Sequence, residues 1–208
     1  MRSWPGIRSG AGPDIASAPV AWITHLIAAD PRAMAQLRAA RELALPDWCI
    51  AAGFVRNRVW DALHGVACRR EPADVDVLFF DPADTGRARE ADAEACLGLK
   101  MPDTDWEVRN QARMHVAKGL PPHRDTAHAM TFWLETPTAV GIRLDADDTL
   151  SVLAPFGVED LVGLVCRPTP WGAARLADYA SRIAAKRWHV LWPRLRFAEP
   201  DMGLRAPD

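Results

Sequence analysis

Asp74-Val75-Asp76-Val77 opens an apolar run that continues through Leu78, Phe79 and Phe80. β-Branched and aromatic residues dominate it, so residues 75–80 read as a strand. Residues two apart in a strand share a face, so Asp74 and Asp76 project together while Val75 and Val77 enter the core. Two carboxylates about 5 Å apart repel by roughly 3 kcal/mol at an effective dielectric near 20. A divalent cation offsets that cost, and Mg2+ (or Mn2+) takes hard oxygen ligands while keeping waters for a phosphate. The alternative is a solvated strand end, since an isolated Asp-x-Asp is a frequent pattern.

Two further segments bear on this choice. Asp105-Trp106-Glu107-Val108 is a second short strand, with Glu107 between two apolar residues and hence on a polar face. Beside the first strand, it completes a cluster of three carboxylates. Upstream, Gly53 ends an apolar run and opens the helix start Phe54-Val55-Arg56-Asn57. A glycine there lets backbone N–H groups approach a phosphate, and a helix N-terminus favours an anion.

This order resembles the DNA polymerase β-type nucleotidyltransferase superfamily, with its glycine motif before a helix, its two-acid strand and its third acid on a neighbouring strand. Several stretches are similar to one bacterial nucleotidyltransferase-like family. They are Ala52-Gly-Phe-Val-Arg-Asn-Arg-Val-Trp-Asp61, Asp74-Val-Asp-Val-Leu-Phe-Phe-Asp81, Trp106-Glu-Val-Arg-Asn-Gln-Ala-Arg-Met-His115, Glu135-Thr-Pro-Thr-Ala-Val-Gly-Ile-Arg143 and Ala154-Pro-Phe-Gly-Val-Glu-Asp-Leu161. The resemblance runs from about Trp22 to Trp192.

The resemblance implies that Asp74 and Asp76 bind metal and that Glu107 is the third acid, which deprotonates the acceptor. It places Gly53, Arg56 and Asn57 near the triphosphate of an NTP. Gly53 is followed by Phe54 rather than by the second Gly or the Ser of the wider superfamily. Nucleotidyl transfer is an in-line displacement at the α-phosphorus, in which two metals clamp the attacking and leaving oxygens. Arg56 or Arg113 then meets the leaving pyrophosphate. Asn110, Arg113 and His115 follow the Glu107 strand directly and are read as lining the same cleft. Helix capping by Asn110 is the structural alternative. The expected activity is transfer of a nucleoside monophosphate from an NTP to an acceptor hydroxyl on a small molecule, an RNA end or a protein. The alternatives are a nucleotide-sensing module of the same fold and an interaction protein of a toxin–antitoxin-like pair.

Other motifs carry less. His123 and His128 are five apart and lack a third ligand at zinc-binding spacing. Asp145-Ala-Asp-Asp lacks the glycine and glutamate of a calcium loop and reads as a hairpin turn. No GxGxxG, GxxxxGK[ST] or GxSxG is present. Trp60, Trp106 and Trp133 lie on apolar patterns and read as core. Trp188-His-Val-Leu-Trp-Pro with Arg187, Arg194 and Arg196 mixes rings and cations, a pattern that grips nucleic acid or, more often, packs its Trp and solvates its Arg.

These groups must be positioned by an ordinary globular chain. It has 208 residues, 49% hydrophobic and 25% charged, which excludes a disordered or collagen-like chain. Net charge is −2, so no overall attraction to nucleic acid or membrane follows. From Glu71 to Glu107, however, 11 acidic residues face 3 basic ones. The four cysteines are at least 19 residues apart, without CxxC, and read as free thiols of a cytoplasmic protein. No apolar run reaches the length of a membrane span.

Residues 1–17 read as a loose arm and 18–208 as one nucleotidyltransferase-like domain with a helical C-terminal part. Helices are expected from Val20, from Asp30-Pro31 to about Leu43, over 56–64, 84–98, 111–118 and 125–135, and in one long stretch from Trp171 or Gly172 to Trp188. Residues 48–52 suit a strand or a buried helix start. Residues 139–144 and 150–153 form a hairpin, and 157–166 mix a short helix with a strand. The fold class is α/β (α+β), a small mixed sheet flanked by helices.

Overall fold

The computed structural model describes residues 12–66 and 74–198. Most of the predicted arm, residues 1–11, lies outside them, as does Cys68. Two helices come first, α1 (Pro19–Ala28) and α2 (Pro31–Arg41). Asp30 caps α2 by accepting from the Arg32 N–H at 3.1 Å, with Pro31 at the first helical position. Strand β1 (Cys49–Ala51) then runs into α3 (Gly53–Leu63), which settles the ambiguous 48–52 segment as a strand. Strand β2 (Val75–Phe79), helix α4 (Ala88–Lys100) and strand β3 (Trp106–Asn110) form a crossover unit, so β2 and β3 pair in parallel. After α5 (Gln111–Lys118) and α6 (Thr126–Met130) comes the hairpin β4 (Gly141–Leu144) and β5 (Leu150–Leu153). The chain ends on α7 (Glu159–Val162), β6 (Val165–Cys166), α8 (Pro170–Ala173), α9 (Leu176–Lys186), α10 (Trp188–Leu191) and β7 (Arg196–Phe197).

The main sheet has the order β3-β2-β1-β4-β5, mixed as expected, and β6 pairs with β7 separately. Strand alternation sorts its two faces. Ile50, Val75, Val77, Phe79, Trp106, Val108 and Ile142 join the core built with α1, α2, α3 and α4. The opposite face carries a smaller cluster of Cys49, Ala51, Leu78, Met130 and Ala139, and there Asp76 and Glu107 emerge. Gly141 is needed where β4 meets β1, because a Cβ on it would lie 2.6 Å from Cys49 Sγ.

One ion pair ties α2 to α3 inside the core. Arg58 Nε donates to Asp30 Oδ2 at 2.8 Å and Arg58 NH1 to the Phe54 carbonyl at 2.8 Å, with Arg58 and Asp30 both buried. The C-terminal aromatics are core as well. Trp188 and Trp192 pack edge-on against Trp60, with ring centroids 5.5 and 5.0 Å away, and Trp192 Nε1 donates to Asp61 at 2.8 Å. Arg187, Arg194 and Arg196 stay exposed, so this segment packs its rings rather than offering them to a nucleic acid.

Two helical expectations are corrected. The helix over 125–135 stops at Met130 and gives way to turns, so Trp133 is half-buried rather than core. The long helix to Trp188 is three pieces, interrupted at Arg175 (φ −136°) and at Arg187, whose φ of 50° is left-handed. Amphipathic spacing continues across both breaks, which is why periodicity did not reveal them. Among the described residues no helix is long and apolar enough to cross a membrane.

Candidate active site

The parallel register sets Asp76 directly beside Glu107, with Val77 beside Val108. Asp74, one residue before β2, shares the face of Asp76. One ligand oxygen from each of Asp74, Asp76 and Glu107 lies within 4.8 Å of the other two. Ligands at about 2.1 Å from a Mg2+ ion lie about 3.0 Å apart when adjacent and about 4.2 Å when opposite, so the three carboxylates would draw closer together around a shared ion. Burial pushes the Asp76 carboxyl up to about 6, and the charges of Asp74 and Glu107 add to it, against Arg56 and Arg182. An all-oxygen donor set whose central member resists ionisation suits a hard divalent cation. Glu107 is braced from outside by Arg109, with Nε 3.1 Å from its Oε1.

Asp76 also opens onto a cleft of about 550 Å3. One side is the β1–α3 junction, Ala52 with Thr138; the other is Phe132, Trp133, Glu135, Trp171 and the α9 edge with Asp178 and Arg182. At that junction the residue with unusual backbone is Ala52, at φ 53° and ψ −122°, and not Gly53. The small pair of the helix start is therefore Ala52-Gly53, ahead of Phe54. No side chain caps α3, which begins one residue after Ala52 of the cleft lining.

The remaining expected residues are placed as follows. Arg56 is buried behind the cleft wall, where NH1 donates to Thr138 Oγ1 at 2.8 Å and NH2 to Asn57 Oδ1 at 3.1 Å. Its guanidinium lies 4.4 Å from the Trp188 ring centre, and burial pulls its pKa down to about 10. Its charge reaches the site as a field, not as a contact, and Asn57 acts by holding it. Asn110 is three residues beyond Glu107 and on the opposite face of β3. It caps α5 through Ala112 N–H at 3.1 Å and donates to the carbonyls of Asp81 and Asp84. Arg113 forms a two-pronged pair with the buried Glu90. Asn110 and Arg113 are thus drawn into fixing the β2–α4 loop and α4, and the structure does not bring them to the carboxylates. His115 packs edge-on against His123, 5.8 Å between centroids, and His123 against His128 at 5.6 Å. This trio joins residues that spacing had kept apart, yet the acidic triad is the only cluster among the described residues with metal-ligand proximity.

Sequence reasoning passed over Glu135, Asp178 and Arg182. Glu135 stood in a quoted motif without a role, and the α9 residues belong to a helix whose place over the cleft follows only from its packing.

Comparison with known proteins agrees with this geometry. A family model described as Nucleotidyltransferase matches residues 38–197. A solution NMR structure said to reveal a CCA-adding enzyme head domain is 32% identical, with a TM-score of 0.75, over 85% of this chain and 94% of that one. The Thermotoga maritima CCA-adding enzyme complexed with tRNA is 17% identical, with a TM-score of 0.55, over 85% of this chain and 42% of that one. A CCA-adding enzyme in complex with CTP is 18% identical, with a TM-score of 0.54, over 85% and 43%. The chain therefore spans about two-fifths of these last two enzymes, and at that identity they show the fold. No curated protein matches. With the family model covering most of its length and the head-domain structure nearly all of its own, this chain belongs to the nucleotidyltransferase family.

Proposed function

We propose that the chain, through residues 18–208 acting as one domain, moves a nucleoside monophosphate from an NTP to an acceptor hydroxyl, with Asp74, Asp76 and Glu107 holding Mg2+ or Mn2+. The observation that carries this reading is the in-register pairing of Asp76 with Glu107 at the mouth of a cleft large enough for a nucleotide. The bound metal would supply charge neutralisation on the phosphates and acidify the acceptor hydroxyl. The N–H groups of Gly53 and Phe54 at the start of α3 receive phosphate oxygens, with the helix dipole behind them. Arg56, held under the wall by Thr138 and Asn57, adds positive potential without contact. Glu107 takes the acceptor proton as the acceptor oxygen attacks the α-phosphorus. The bond from that phosphorus to the bridging oxygen breaks, and pyrophosphate leaves. NTP as substrate is supported by the solved relative that holds CTP, and an RNA end is one acceptor class because another holds tRNA.

The test is pyrophosphate release from each NTP with Mg2+ or Mn2+, against small-molecule, RNA and protein acceptors. Asp76→Asn is expected to reduce the rate by about 10²–10³-fold or more, as for loss of a group that stabilises the transition state. Full activity in Asp76→Asn overturns the assignment. Metal-dependent NTP binding without transfer to any acceptor class would instead favour the nucleotide-sensing module.

A further inference from the structure

Strand β3 is an edge of the main sheet, so alternate N–H groups along it face away from β2. Helix α4 takes two of them with carboxylates one helical turn apart. Glu90 accepts from the Asn110 N–H at 2.6 Å, and Glu94 accepts from the Val108 N–H at 2.9 Å. Each carboxylate also meets an arginine. Glu90 receives Arg113, and Glu94 Oε1 receives Arg109 NH1 at 2.5 Å. The two arginines differ in what lies beyond them. Arg113 belongs to α5, whereas Arg109 stands two residues after Glu107 on the same face of β3. Arg109 Nε is 3.1 Å from Glu107 Oε1, and Arg109 NH1 also donates to the Val108 carbonyl at 2.7 Å. One guanidinium is thus anchored by α4 and by its own strand while it faces the third acid. The Glu107 side chain is 41% exposed, so little else restricts its rotamers.

Resting on the metal-dependent reading proposed above, we infer that Arg109, anchored by Glu94, is the positioning residue for the third acid. It engages one oxygen of Glu107 and leaves the other for a cation shared with Asp74 and Asp76. Helix α4, on the far side of the sheet, thereby fixes the geometry of the carboxylate set. Two effects of Arg109 oppose each other. Holding Glu107 in place favours a divalent cation, while the positive charge beside three carboxylates disfavours it. Removing Arg109 therefore has a sign that separates positioning from charge balance. Arg109→Lys separates them again, because it keeps the charge and loses the planar fork that spans Glu94 and Glu107.

Calorimetric titration of the full chain with Mn2+ alone tests this, on wild type, Arg109→Lys, Arg109→Gln and Glu94→Gln. Both Arg109 variants are expected to bind Mn2+ about tenfold or more weakly, as when a partner that orients a metal ligand is lost. Glu94→Gln keeps an amide oxygen for the Val108 N–H but no charge for Arg109, so it should weaken Mn2+ by a smaller factor. It carries the test if the Arg109 variants do not fold. In a Glu107→Gln background, Arg109→Lys should add less than about twofold, because a positioning residue acts only through the group it holds. A full tenfold loss in that background would give Arg109 a role of its own and overturn the inference. Unchanged Mn2+ binding in Arg109→Lys overturns it too, as does tighter binding in Arg109→Gln, which would assign Arg109 to charge balance. These three outcomes leave the nucleotidyl-transfer reading intact, whereas a wild type that binds no Mn2+ removes the metal reading together with the inference.

Discussion

Asp76 sits where three interests meet: the pairing register of β2 and β3, the carboxylate cluster and the cleft. Burial raises its carboxyl from the ordinary carboxylate range to about 6, with Asp74 and Glu107 contributing. An acid whose folded pKa lies above its unfolded one binds more protons when folded. Stability then declines as pH rises from about 4 to about 6, and the penalty is complete above that window. Asp76→Asn removes the charge that carries the penalty. In the presence of a chelator it should therefore gain about 1–3 kcal/mol over wild type at pH 8, and almost nothing at pH 4. Chemical denaturation at the two pH values checks this; a gain of equal size at both would assign it to packing. Added Mg2+ should stabilise wild type at pH 8 and leave the variant unmoved.

The junction of β1 and α3 turns within one residue, because Ala52 takes φ 53° and ψ −122° while its N–H stays bonded to the Val140 carbonyl at 3.0 Å. Such a conformation costs an L-residue of order 1–3 kcal/mol. Ala52→Gly relieves it at the expense of a more flexible unfolded chain, so a net gain of about 1 kcal/mol is expected. The midpoint of urea unfolding should rise with an unchanged slope. A lower midpoint would mean that the Ala52 methyl, on the cleft wall, contributes more by packing than its backbone loses by strain. The strained residue lines the same cleft as Asp76.

Across the whole molecule, stability is unevenly distributed. Strands β1 and β2 and helix α3 are buried along most of their length, with Trp60 joined to Trp188 and Trp192. Helix α9 has no buried residue, and it supplies one wall of the cleft. Elements with few buried apolar contacts open first. Amide hydrogen exchange should therefore be faster in α9 than in α3 by at least about tenfold, with α10 slower because Trp188 anchors it. An NTP bound in the cleft should slow exchange in α9 selectively. Uniform protection across α3 and α9 would show that the C-terminal helices unfold with the core.

Alternation alone determined much of this protein. Asp74 and Asp76 share a face, Val75 and Val77 enter the core, and Glu107 stands on the polar side of its own strand, because a pleated chain leaves no other arrangement when one face is buried. The helix start at Gly53, the cap at Asp30-Pro31 and the hairpin around Asp145 were legible for the same local reason. That Asp76 lies beside Glu107 could be expected only conditionally; the parallel register that makes it so is set by the α4 crossover. The sequence placed Asn110 and Arg113 near the site because they follow Glu107 directly. Alternation already turns Asn110, three residues beyond Glu107, to the other face of β3; only the tertiary structure shows that Asn110 meets the Asp81 and Asp84 carbonyls and that Arg113, on α5, pairs with Glu90. It alone brought Glu135 and Arg182 together from 47 positions apart. Local spacing specifies which way a side chain points from its own element, whereas which side chains meet depends on packing between elements distant in the chain.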